Sequence, residues 1–141
     1  MRVLAVDVGA RRVGLAISDP SRMLARPLTA VEVASDADAV ERVAAAARDL
    51  AAEEDGLAEI VVGLPRRLDG SPSAMTARVA AFVDALRQRI QVPIATEDER
   101  LSSHEADSRL ALNERDWRKR KSKLDAAAAA VILQDYLDRG R

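Results

Sequence analysis

The chain has 141 residues, a formal net charge of -1 and no cysteine. That length holds one domain with a real core, here residues 1–141, and the absence of thiols excludes a disulfide framework or a thiolate metal site. A near-neutral charge excludes a protein that coats nucleic acid indiscriminately. Phe82, Trp117 and Tyr136 are too few aromatics for a base-stacking platform.

Residues 3–8 and 13–17 are β-prone apolar runs around a polar turn at residues 9–12, the pattern of a hairpin. The first run is apolar on both faces, as in a central strand, with Asp7 its one exception. Pro20 and Pro27 bracket a loop, and residues 28–33 alternate like a third, edge strand. Ser35 or Asp36 caps a helix whose stripe is Val40, Val43, Ala44, Ala47, Leu50 and Ala51. Residues 59–65 read as a buried strand running into a polar loop at 66–71. A helix over about 73–90 turns Val79, Phe82, Val83, Leu86 and Ile90 inward. Residues 92–97 form a fifth strand. Ser102 and Glu105 have capping-box spacing, which predicts a helix to about Leu112. Residues 113–123 are charged and aperiodic, a loop, and a last, Ala-rich helix runs over about 123–138.

The order β-β-β-α-β-α-β-α-α predicts a mixed α/β sheet of five strands. The first three form an antiparallel meander, and helices cover both faces. No apolar run approaches membrane-spanning length, and the chain enters a strand without a basic and then apolar leader, so a cytoplasmic protein off the membrane is expected.

The carboxylates gain meaning on this frame. A carboxylate in a buried strand costs several kcal/mol unless it is paired, hydrogen-bonded or bound to a cation. Asp7 is therefore either the partner of Arg11 or Arg12, a turn-former, or part of a metal or phosphate site. Glu97, Asp98 and Glu99 sit at the C-terminal end of the fifth strand, where ligands gather in crossover sheets. Glu97 and Glu99 share strand parity, which leaves the choice between them open. Asp125 opens the last helix, where negative charge is favoured, though its spacing from Ser122 also fits a capping box. His104 reads as a surface residue. Oxygen donors from distant segments, with no Cys or His cluster, suit a hard cation, Mg²⁺ or Mn²⁺.

Each acid has basic neighbours: Arg11 and Arg12 beside Asp7, Arg66 and Arg67 after the fourth strand, Arg100 after Glu99, and a run including Arg118, Lys121 and Lys123 before Asp125. Such runs often make only solvated faces. The repeated pairing of acid with base points instead to a phosphate-gripping surface.

Four motifs in order across the chain resemble the YqgF (RuvX) family of bacterial proteins. They are Asp7-Val-Gly-Ala-Arg-Arg-Val-Gly-Leu-Ala-Ile-Ser-Asp19; Val61-Val-Gly-Leu-Pro65 with Asp69-Gly-Ser71; Asp98-Glu-Arg-Leu-Ser-Ser103; and Lys123-Leu-Asp-Ala-Ala-Ala-Ala with Ile132-Leu-Gln-Asp-Tyr-Leu137. The resemblance implies an RNase H-like fold and a metal-dependent nuclease whose acids fall on Asp7, Glu99 and Asp125, choosing Glu99 over Glu97. It implies maturation of the 5′ end of pre-16S rRNA or, as the alternative, Holliday-junction resolution. The first task fits a monomer and the second a homodimer. Arg66-Arg67 departs from the family, where an apolar residue usually follows the proline. Two other readings compete. An Asp-x-Gly hairpin also resembles the phosphate loop of actin-like kinases, which clamp ATP between two such domains, and a non-catalytic RNA-binding assembly factor could keep the fold without the metal.

Overall fold

The computed structural model describes residues 1–99 and 117–140, with backbone alone over 117–122. Among these residues the elements are β1 (Arg2–Val8), β2 (Arg12–Ser18), β3 (Ala25–Glu32), α1 (Asp36–Ala52), β4 (Leu57–Leu64), α2 (Ala74–Arg87), β5 (Ile94–Asp98) and α3 (Trp117–Arg139). The five strands form one sheet in the order β3-β2-β1-β4-β5. β1 pairs antiparallel with β2, and β2 with β3. β4 runs parallel to both β1 and β5. The expected meander and mixed sheet are both present.

Strand alternation sorts the sheet into two faces. Leu4, Val6, Val8, Val13, Leu15, Ile17, Ile60 and Val62 pack against α1 and α2 in the main core. Val3, Ala5, Ala16 and Val61 pack against Ala129, Leu133 and Leu137 of α3 on the other face. Asp7 continues the alternation of Val3 and Ala5, so it points toward α3. Small residues on that face let the helix come close. A Cβ built on Gly14 would lie 2.0 Å from the Asp125 carbonyl oxygen, so backbone meets backbone there. The alanine run is thus more than a helix-former, because it permits this approach.

Several boundaries differ from the sequence reading. β3 begins at Ala25, and Pro27 lies inside it, opposite Ala16 at a bulge. An edge strand tolerates a proline there because no ladder hydrogen bond is lost. Ala51 is exposed, outside the buried stripe of α1, and α2 ends at Arg87 rather than Ile90. β5 spans Ile94–Asp98. The expected helix over 102–112 lies outside the described residues.

The largest correction concerns α3. Residues 117–123, expected as loop, are helical. Lys and Arg are strong helix formers, and contiguity with the alanine run carries the helix back through them. Asp125 therefore sits eight positions after the first residue of α3 and caps nothing. Both the capping-box reading and the helix-terminus argument for Asp125 fall.

Candidate active site

β1, the segment after β5, and α3 each deliver one acid to the α3-facing side of the sheet. Asp7 pairs across the ladder with Gly14, which has no side chain to fill the space above it. Glu99 follows β5, its N–H donating to Leu64 O at 3.4 Å. Gly63 clears the room for it: a Cβ there would lie 2.8 Å from Glu99 Oε2.

The carboxyl groups of Asp7 and Glu99 are hydrogen-bonded to each other. Burial pushes the Asp7 carboxyl up to about 6; the Glu99 hydrogen bond works against this and the nearby charge of Asp125 adds to it. Burial also pushes Glu99 up, to about 9, with the Asp7 charge, the shared hydrogen bond and Asp98 adding to the shift. Two half-buried carboxyls in contact cannot both ionise cheaply, so the pair favours sharing a proton. Asp125 stands near enough to act on Asp7 by its charge, while its Oδ2 lies 3.4 Å from Arg12 Nε.

The neighbouring acids are separated by their partners. Glu97 shares the face of Glu99, but its Oε1 is 2.6 Å from Arg139 Nη1 at the far end of α3. Glu97 is thus engaged by a residue that sequence reasoning never connected to it. Nothing local in the sequence signals the pair, because the two residues meet only through the packing of α3. Asp98 acts on Glu99 through its charge.

The structure brings only some of the basic residues to this edge. Arg12 is half-buried against Asp125, and Arg11 is exposed in the turn. Arg66 reaches back to its own loop, Nη1 donating to Gly70 O at 3.4 Å, whereas Arg67 is exposed. Lys123 is exposed and lines a groove with Pro27, Leu28, Thr29, Ala30, Ala126 and Ala127. Arg118 and Lys121 fall in α3 where the backbone alone is described. Arg100 and His104 lie outside the described residues.

An all-oxygen donor set suits a hard cation, and the half-buried Asp7–Glu99 pair beside Asp125 fits one. Among the described residues, however, no three acidic or histidine groups stand ready-spaced to hold a metal. Asp125 is engaged by Arg12 at 3.4 Å.

The sheet order and the helix laid across its acid-bearing face define an RNase H-like α/β fold. Over 99% of this chain and 96% of the other, it superposes on "T. thermophilus RuvC in complex with Holliday junction substrate" with a TM-score of 0.53 at 17% identity, a likeness of fold. A relative from Roseiflexus sp. (strain RS-1), named "Putative pre-16S rRNA nuclease", is 39% identical over 140 residues, 99% of this chain and 96% of its own. One of the same name from Anaeromyxobacter sp. (strain K) is 43% identical over 141 residues, 99% and 98%. The family model described as "RuvX: Holliday junction resolvase" matches residues 1–139, and the chain belongs to that family.

Proposed function

We propose that this protein is a divalent-metal-dependent nuclease that hydrolyses phosphodiester bonds in structured RNA, with the 5′ end of pre-16S rRNA as its substrate. The observation that carries the reading is the hydrogen-bonded pair of half-buried carboxyls, Asp7 and Glu99, with the charge of Asp125 acting on it. Acids drawn together from β1, the segment after β5 and α3 have no structural purpose that repays their partial desolvation. Family membership and the names of the two relatives support the same reading.

Asp7, Glu99 and Asp125 would hold Mg²⁺ or Mn²⁺. At a phosphodiester such an ion supplies activation of the attacking water and neutralisation of charge on the reacting oxygens. The chain's own part is to prepare the donors. Glu99 would give up to solvent the proton it shares with Asp7, and Arg12 would release Asp125 and turn to a phosphate. Arg11, Arg67 and Lys123, exposed near the acids, would form the cationic rim that grips the strand. The work belongs to the cytoplasm, and among the described residues no helix is long and apolar enough to cross a membrane.

The family description favours a second substrate, a four-way DNA junction. Cutting one symmetrically takes two active sites and hence a homodimer, whereas trimming an RNA end takes one. Side-by-side cleavage of precursor rRNA and a four-way junction, each with Mg²⁺ and with Mn²⁺, decides between them. Cleavage of the RNA by a monomer is expected. Cleavage of the junction alone would move the assignment to DNA, and cleavage of neither would end the nuclease reading.

A further inference from the structure

The loop that follows β4 is built to hold one apolar side chain out in solvent. It leaves the sheet beside Glu99, whose N–H donates to Leu64 O. A β-bridge between Arg66 and Pro72 closes its base. Arg67 N donates to Ser71 O at 3.0 Å and Gly70 N to Arg67 O at 2.8 Å. Gly70 takes a left-handed φ of 87°, which makes the turn tight. Asp69 Oδ1 accepts from Ser71 N at 2.9 Å and from Ser71 Oγ at 2.6 Å. The Thr76 hydroxyl donates to Pro65 O, tying the loop to the start of α2.

At the tip stands Leu68, 74% exposed, ahead of Leu24 at 69% and Met1 at 66% among the described large apolar residues. An exposed leucine is ordinary by itself. This one sits on a braced turn beside the exposed Arg67, at the sheet edge that carries Asp7 and Glu99. A stiff, basic loop with an apolar tip is suited to entering a base step, where leucine serves as well as an aromatic ring.

We propose that Leu68 is a wedge that packs against the terminal base pair where a duplex opens into single strand, bringing the phosphate at that boundary to the acids. Arg67 holds the adjoining phosphate. The proposal rests on the nuclease reading for its substrate class and makes Leu68 a positioning residue that selects branched or frayed nucleic acid over a plain strand.

The test uses a stem with a single-stranded flap carrying 2-aminopurine at the boundary base, together with an unstructured strand of the same sequence. The parent protein is expected to raise the fluorescence about threefold by unstacking that base. Leu68→Ser should bind within about twofold of the parent yet give no rise, and should lose about tenfold in cleavage of the flap alone, with Leu68→Met restoring both. An equal rise with Leu68→Ser, or an equal loss on both substrates, would overturn the wedge. Failure of the parent to bind the flap would overturn it too. Because the fluorescence requires binding only, a rise without cleavage by any form would keep the wedge and remove the nuclease.

Discussion

Arg12 and Asp125 join β2 to α3 through a 3.4 Å contact at the edge of the acid cluster. The arginine supplies positive charge where the proposed ion would need this carboxylate. The pair is part-exposed, so Arg12→Ala should cost no more than about 1 kcal/mol of stability. Freed from its partner, Asp125 should bind Mn²⁺ about threefold more tightly, while RNA binding weakens for want of a phosphate contact. Calorimetric titration with Mn²⁺ and a filter-binding assay measure the two effects. Weaker Mn²⁺ binding would show that Arg12 orients Asp125 rather than competing for it.

The two glycines that clear the site should respond differently to a methyl group. At Gly14 the obstacle is the Asp125 backbone, 2.0 Å from the added Cβ, which cannot move without displacing α3. Gly14→Ala should therefore cost about 2 kcal/mol or more and abolish cleavage. At Gly63 the obstacles are side-chain ends, Ile132 Cδ1 at 2.6 Å and Glu99 Oε2 at 2.8 Å. Gly63→Ala should fold, with a smaller loss of stability and a large loss of activity. Denaturant unfolding beside a cleavage assay separates the two cases.

Stability should depend on pH in a stated direction. Asp7 is raised from 3.8 to about 6 and Glu99 from 4.5 to about 9, so between about pH 4 and 9 the folded protein binds more protons than the unfolded chain. Their contribution is complete below that window and is lost as pH rises through it. The melting temperature of metal-free protein should fall by about 5 °C or more from pH 6 to pH 9. Glu99→Gln should flatten most of that slope, and Mn²⁺ should bind with release of a proton. A melting temperature flat or rising over this range contradicts the shared proton.

Glu97 and Glu99 offer a test by contrast. Glu97 is buried against the exposed Arg139, so Glu97→Gln should lose about 1 kcal/mol of stability and keep its activity. Glu99→Gln should lose cleavage and gain stability at high pH. The reverse pattern would put the wrong glutamate in the site.

These contrasts mark what the sequence could and could not convey. Asp7 was legible because it breaks an apolar strand, and the strands and α1 were legible from apolar runs and the Ser35 cap. Glu97 and Glu99 were not separable by pattern, since parity puts both on one face. Arg139, distant along the chain, engages one of them, and the family resemblance alone chose the other. The start of α3 was hidden because Lys and Arg carry no apolar period, although they favour helix. Gly14 and Gly63 fall inside the apolar runs 13–17 and 59–65. Their use, making room for an acid from another element, exists only in three dimensions.

Cleavage of precursor rRNA by the Asp7→Asn protein in Mn²⁺ bears most directly on the claim that the acids form one hydrolytic centre. The substitution keeps the size of the side chain and relieves a half-buried charge, so the variant should fold and melt at or above the parent temperature. Its cleavage rate should fall at least about 100-fold. Undiminished cleavage by a well-folded Asp7→Asn protein would contradict the account.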